Sequence, residues 1–306
     1  MWKIISKAVS PMNKVTVKVP ATSANLGSAF DCAGIAFELY NVLSFEKQEK
    51  GVSFEGFDPI FANENNLAYI GYRKTCEEIG VSSSVKITLE SVDIPVSRGL
   101  GSSASLIVAG VVAANHLYGS PLPKKDLLRI CNDIEGHPDN VAPALLGCFC
   151  VSLVAEGIPV TARYAVSDAI CFTVVYPDFE VQTKDARAVL PKTVDRADAI
   201  FNLSRTALMQ HAFTQGHFFL LKHVTKDRLH EPYRKQLFRN IDEIEEAAYA
   251  CGAVSFIISG AGSACLCISE KPIVEQLNQK IAPLANRWVA KALTIDQNGG
   301  TVIFEA

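Results

Sequence analysis

No block of basic residues occurs anywhere in the sequence. Lys and Arg number 29 against 32 Asp and Glu, a formal charge of −3 over 306 residues. Affinity for a nucleic-acid backbone comes mostly from neutralising phosphates, so a protein built around such a partner is excluded, and any polyanion held here must be small and locally bound. Long apolar runs are missing as well. The longest, Ala104 to Ala114, includes Ser105 and Gly110 and is about half the roughly 20 residues a bilayer span requires; it reads as a buried helix. The opening MWKIISKAVSPMNK interleaves lysines with apolar residues and lacks the continuous apolar stretch of a secretory signal. It reads as a leading extension or an edge strand of a cytoplasmic protein. At 49% hydrophobic and 20% charged residues the chain also lacks the composition of a disordered protein.

Several motifs are absent. No G-x4-G-K-[ST] occurs, which excludes a Walker-type NTPase, and no G-x-S-x-G, which argues against a serine hydrolase of the nucleophile-elbow type. The nine cysteines are odd in number and follow no recurring frame. The two C-x-C pairs, Cys148/Cys150 and Cys265/Cys267, lie in apolar runs where alternate residues of a strand point the same way. Metal ligation would favour C-x2-C spacing with a second pair in reach, so all nine read as small buried hydrophobes. No internal repeat or low-complexity segment is present.

What is present suits two domains by length, with a turn to Gly, Pro and polar residues near 155–164 marking the boundary, hence 1–160 and 161–306. Val15 to Val19 alternates like a strand, and the turn-rich P-A-T-S-A-N-L-G after it is expected to end that strand. Further strands are expected near 36–46, 85–90 and 169–177. Helices are expected after residue 101, over 121–136, and around 183–190, 196–221, 234–250 and 272–286. Strand and helix alternate without a barrel's regular period, which gives an α+β protein of two lobes.

The strongest chemical signal is Pro95-Val96-Ser97-Arg98-Gly99-Leu100-Gly101-Ser102-Ser103-Ala104-Ser105, set directly before a helix. Two glycines let the backbone approach a ligand, and a helix start presents free N–H groups and the positive end of its dipole, a place for phosphate. Ser102 and Ser103 add hydroxyls for a phosphate oxygen or Mg²⁺. Gly99 to Ala104 also satisfies G-x-G-x-x-G/A, but Asp93, Pro95 and Arg98 interrupt the strand that a dinucleotide fold requires, and Asp126 sits at a helix start rather than a strand end. The bland alternative is a serine-capped helix after a loop. Glu135-Gly136-His137-Pro138-Asp139-Asn140 gathers two carboxylates, an imidazole and an amide in one turn, suited to metal or polar positioning, or else to a Gly136 C-cap followed by a Pro-Asp-Asn turn. P-A-T-S-A-N-L-G-S-A-F-D offers Asn25 and Asp31, and Ser259-Gly260-Ala261-Gly262-Ser263 joins two apolar strands, as a hairpin turn would.

In this order, the four segments resemble the GHMP kinase superfamily, and within it the homoserine kinase branch. The likeness continues through T-K-D-A-R-A-V-L-P (183–191) and H-E-P-Y-R (230–234), with Ser28-Ala29 where the branch usually has Pro-Gly and Cys148 where a second glycine is usual. It implies an N-terminal lobe like ribosomal protein S5 and a ferredoxin-like C-terminal lobe, a possible homodimer, and ATP-dependent phosphorylation of the L-homoserine hydroxyl in threonine biosynthesis. By the same resemblance, residues 95–105 wrap the triphosphate and Ser103 and Glu135 hold Mg²⁺. Asp31 takes the substrate ammonium, and Arg187 and Arg234 its carboxylate. Asn25 and Asn140 orient the substrate, and Thr183 contacts the γ-phosphate or the hydroxyl. Related sugar and mevalonate kinases carry an Asp base at the position matched to Asn140. An amide cannot take a proton, which leaves either transfer without a side-chain base or Asp139 in that role. Another kinase of the superfamily, or a non-catalytic binding protein on the same fold, is the alternative.

Overall fold

The computed structural model describes residues 13–303, so the expectation for the first dozen residues lies outside the described ones. The first sheet holds β1 (Lys14–Ala24), β2 (Ala33–Lys47), β3 (Val52–Glu55), β4 (Val85–Val92), β5 (Phe149–Ala155), β6 (Ile158–Tyr164) and, from far along the chain, β11 (Thr301–Ile303). Its main order is β11-β1-β2-β4-β3, and β5 links β2 to β6. The helices α1 (Leu67–Ile79), α2 (Ser102–Leu117), α3 (Lys124–Glu135) and α4 (Pro138–Leu146) bury their apolar residues against this sheet in one core with Val17, Leu43, Phe45 and Ile87.

β1 runs on through the Pro-Ala-Thr-Ser segment that was expected to end it. Pro20 falls where the register against β2 shifts, a bulge that tolerates a residue with no N–H, and the Thr22 N–H bonds instead to the Leu100 carbonyl at 3.1 Å. The polar stretch at 155–164 likewise forms the end of β5, a turn and β6, which pairs with β5 along its whole length, so the 160/161 division falls inside a strand.

The second sheet holds β7 (Cys171–Pro177), β8 (Ala253–Ile258), β9 (Cys265–Ser269) and β10 (Trp288–Leu293), antiparallel in the order β10-β7-β9-β8. With α9 (Ile241–Ala250) before β8 and α10 (Val274–Ile281) before β10, this is the βαββαβ arrangement of a ferredoxin-like lobe, as expected. Between β7 and α9 lie α5 (Thr183–Ala188), α6 (Arg196–Gln215), α7 (Phe218–Val224) and the single turn α8 (Glu231–Arg234). The helix expected over 196–221 is cut by Gly216 at φ 63°, which caps α6. The one expected over 234–250 is interrupted before Asn240, which starts α9 at φ 58°.

Alternation along β9 explains its cysteine pair. Cys265 and Cys267 face the core with α9 and α10, while Leu266 and Ile268 face the core shared with α6, α7 and the first sheet. Six of the nine cysteines are buried as expected, but Cys32 is exposed and Cys171 and Cys251 are half-buried; all nine are free. No helix among the described residues is long and apolar enough to cross a membrane.

Candidate active site

The sequence-predicted segments converge on one open cleft of about 780 Å³. At its floor α2 begins after Gly101, whose φ of 69° is left-handed and which offers no side-chain cap. The first-turn N–H groups are therefore left for a ligand, which is the arrangement that binds phosphate. Thr22 sets how close the loop can come, since a Cβ on Gly101 would lie 1.9 Å from its hydroxyl. Behind the loop, the Ser259–Ser263 turn joins β8 to β9 and acts as a buttress. Ser259 Oγ donates to the Gly99 carbonyl at 2.6 Å, and the Ala264 N–H donates to the Arg98 carbonyl at 2.8 Å. Arg98 ties the loop to the end of β7 through the carbonyls of Pro177 and Asp178. Of the eleven loop residues expected to bind nucleotide, Pro95, Leu100, Ala104 and Ser105 do not line the cleft. Leu100, Ala104 and Ser105 are buried, and the Ser105 hydroxyl is engaged by Asn41 and the Ser102 carbonyl.

Ser103 and Glu135 meet as expected, Ser103 Oγ donating to Glu135 Oε1 at 3.0 Å across the return from α2 to α3. Burial raises the Glu135 carboxyl above its ordinary range, against the pull of His137 and the Ser103 bond. No Lys or Arg pairs with it among the described residues. A hydroxyl beside a carboxylate that lacks a basic partner is a hard oxygen donor set of the kind Mg²⁺ takes.

The start of α4 separates two neighbours. Asp139 is 2% exposed, accepts a 2.5 Å bond from His137 Nδ1 and does not line the cleft; His137 and Asn140 do. Burial opposes protonation of His137, but the Asp139 bond and the charges of Asp139, Asp31 and Glu135 outweigh it, and the imidazole pKa is raised. Asn140 Oδ1 accepts the Thr22 hydroxyl at 2.7 Å, which leaves its Nδ2 to donate into the cleft.

At the far side Asp31 and Arg187 form a bidentate pair at 2.9 and 3.1 Å, joining residues from the two lobes, and this bond raises the Arg187 pKa. Asn25 lines the cleft with its amide already engaged: Oδ1 accepts the Asp31 N–H and Nδ2 donates to the Gly260 carbonyl. It is placed to hold Asp31 in its turn. Thr183 opens α5 at the edge of the cleft, and Arg234, buried to 2% exposure, closes its floor. The sequence reasoning missed the apolar wall of Phe57, Ile60, Phe61, Leu67 and Leu89 beside the loop. Its one signal was the F-D-P-I-F run, aromatic residues in an otherwise polar stretch, with Ile60 70% and Phe61 51% exposed.

A helix start with free N–H groups, a hydroxyl–carboxylate pair and facing acidic and cationic side chains, on an S5-like and a ferredoxin-like lobe, fit a small-molecule kinase of GHMP type. Accordingly, residues 66–148 match the GHMP kinases N terminal domain and residues 205–282 the GHMP kinases C terminal domain. Homoserine kinase of Clostridium botulinum (strain Langeland) is 42% identical over 292 residues, 94% of this chain and 98% of that one, and homoserine kinase of Clostridium beijerinckii is 38% identical over 293. The solved homoserine kinase of Cytophaga hutchinsonii superposes with a TM-score of 0.89 at 28% identity over 97% of this chain and all of its own. L. major mevalonate kinase, at 15% identity and a TM-score of 0.67, shares the fold. The chain belongs to the homoserine kinase family of the GHMP kinases.

Proposed function

We propose that the protein transfers the γ-phosphoryl group of ATP to the side-chain hydroxyl of L-homoserine. The observation that carries this reading is that the start of α2 and a set of groups suited to a zwitterion, Asp31 with Arg187 and Arg234, open onto one cleft. Homoserine carries an ammonium for Asp31 and a planar carboxylate for the guanidinium groups. The apolar wall around Phe57 and Phe61 offers surface for a nucleobase, and the α2 N–H groups face the phosphates. Ser103 and Glu135 would hold Mg²⁺, which when bound neutralises phosphate charge.

The Asn140 amide donates to the substrate hydroxyl oxygen and orients it without accepting its proton. Asp139 is engaged by His137 and does not line the cleft, and His137, its pKa raised, retains a proton more readily than a free imidazole. Phosphoryl transfer asks mainly for positioning and charge neutralisation, so the hydroxyl proton passes to the transferred phosphoryl oxygens with no side-chain base. Nine free cysteines suit a reducing compartment, and we place the reaction in the cytoplasm. The test is coupled ADP release with Mg·ATP across homoserine, mevalonate, galactose and shikimate. Turnover with homoserine is expected; turnover only with another of the four would overturn the assignment in favour of a different kinase of the superfamily.

A further inference from the structure

Arg234 is buried, yet no carboxylate bonds to it. Its Nε donates to the Ala186 carbonyl at 3.2 Å, and its Nη1 to the Gly260 carbonyl at 2.8 Å and to His230 Nδ1 at 3.2 Å. All three acceptors are neutral, so the charge is offset only from a distance, by the carboxylates of Asp31, Asp139 and Asp227, and no bond to the described residues engages Nη2. A buried cation in that state is prepared for an anionic ligand.

The third acceptor is unusual, because an imidazole nitrogen accepts only when it is bare. His230 is wholly buried, and its Nε2 lies 2.9 Å from the Gly27 carbonyl. A carbonyl has no proton to give, so Nε2 carries the hydrogen. In a neutral ring that leaves the lone pair on Nδ1, the group the Arg234 Nη1–H requires. Burial favours the neutral ring, and the Arg234 charge acts in the same direction against Asp227. The ring cannot turn freely, since it is fully buried, its Nε2 meets the Gly27 carbonyl and its face stacks on Phe30 at 5.1 Å. Phe30 in turn lies beneath both guanidinium groups, 5.2 Å from Arg234 and 5.7 Å from Arg187.

We propose that His230 is a positioning residue: fixed as its Nε2–H tautomer by the Gly27 carbonyl, it lends the Nδ1 lone pair to Arg234 and aims that guanidinium at the substrate carboxylate. This rests on homoserine being the substrate. His230 then sets specificity for an α-carboxylate without touching it, and ties the aim of Arg234 to the turn that carries Asp31. The ammonium and carboxylate sites are thus placed relative to one another.

The test compares His230→Phe, which keeps a ring against Phe30 and removes both nitrogens, with His230→Asn, whose Oδ1 can replace Nδ1 as acceptor. Each is measured on L-homoserine and on 3-amino-1-propanol, which keeps the hydroxyl and ammonium and lacks the carboxylate, as kcat/KM or, at low turnover, as Ki against homoserine. His230→Phe is expected to lose roughly 10- to 100-fold on homoserine, mainly in KM, while the constant for 3-amino-1-propanol and the KM for ATP stay within about threefold of wild type. His230→Asn is expected to recover about fivefold or more of that loss. An equal loss on both compounds, no loss on homoserine, or a His230→Asn enzyme no better than His230→Phe overturns the proposal. If His230→Phe does not fold, His230→Gln, which keeps the donor to Gly27 but places no lone pair at Nδ1, takes its place with the same outcomes decisive. Wild-type enzyme inactive on homoserine would overturn the substrate assignment itself; active wild type with an indifferent His230→Phe would overturn only the role of His230.

Discussion

At Asp139 the carboxylate sits against His137 Nδ1, off the cleft, while the adjacent Asn140 amide lines it with its oxygen taken by Thr22. The sequence left both residues in contention for the chemistry of the hydroxyl. Burial separates them, since a helix start directs successive side chains about 100° apart. Asp139→Asn should therefore lower kcat by well under the roughly 10⁴-fold that losing a general base removes. A larger loss at unchanged KM, in steady-state kinetics with homoserine, would make Asp139 the base. The Asp31–Arg187 pair was legible only as two separate residues. That they pair with each other is a fact of tertiary structure, because 156 positions of sequence lie between them.

Among elements, the loop before α2 was readable because Gly and Ser punctuate it and the apolar run of a buried helix follows. Its support was not, because the Ser259–Ser263 turn meets it only in the folded chain. Gly99 is where they touch. Its φ is 76°, and a Cβ there would lie 2.1 Å from the Ser259 carbonyl oxygen. Gly99→Ala should cost at least about 2 kcal/mol of stability and raise the KM for ATP, since either the loop or the turn must move; denaturant melts and ATP titration check both effects. A second tie runs from α8 to β8, where Glu231 Oε1 accepts the Ile258 N–H at 2.7 Å and burial pushes its carboxyl up to about 8. An acid with a raised folded pKa binds its proton more tightly folded than unfolded, so its contribution falls as pH rises from about 4.5 to about 8. Glu231→Gln keeps the acceptor and removes the titration. The variant should gain thermal stability over wild type at pH 8 and little or none at pH 5; a gain of equal size at both pH values would contradict the assignment.

Over the whole molecule, the two lobes were legible from length and the order of strands and helices, but the boundary between them, placed by a shift in composition that proved to be the β5–β6 hairpin, and their union were not. One core contains Ile35 and Phe149 of the first sheet, Phe172 and Leu266 of the second, and Phe213 of α6 between them. Phe213 is fully buried and packs 5.2 Å from Phe149. Phe213→Ala should cost about 3–5 kcal/mol and should lower the stability of both lobes together, so that circular dichroism and Trp fluorescence still report one coincident transition. Two separated transitions would show lobes that stand alone.

β11 pairs Thr301 to Ile303 with Lys18 to Thr16 of β1, after the whole second sheet has intervened. On a translating ribosome β1 therefore waits with one edge unpaired until the residues beyond β10 have emerged. The N-terminal lobe, made before the second sheet, is completed only after it, and in the interval its open edge is free to pair with another chain.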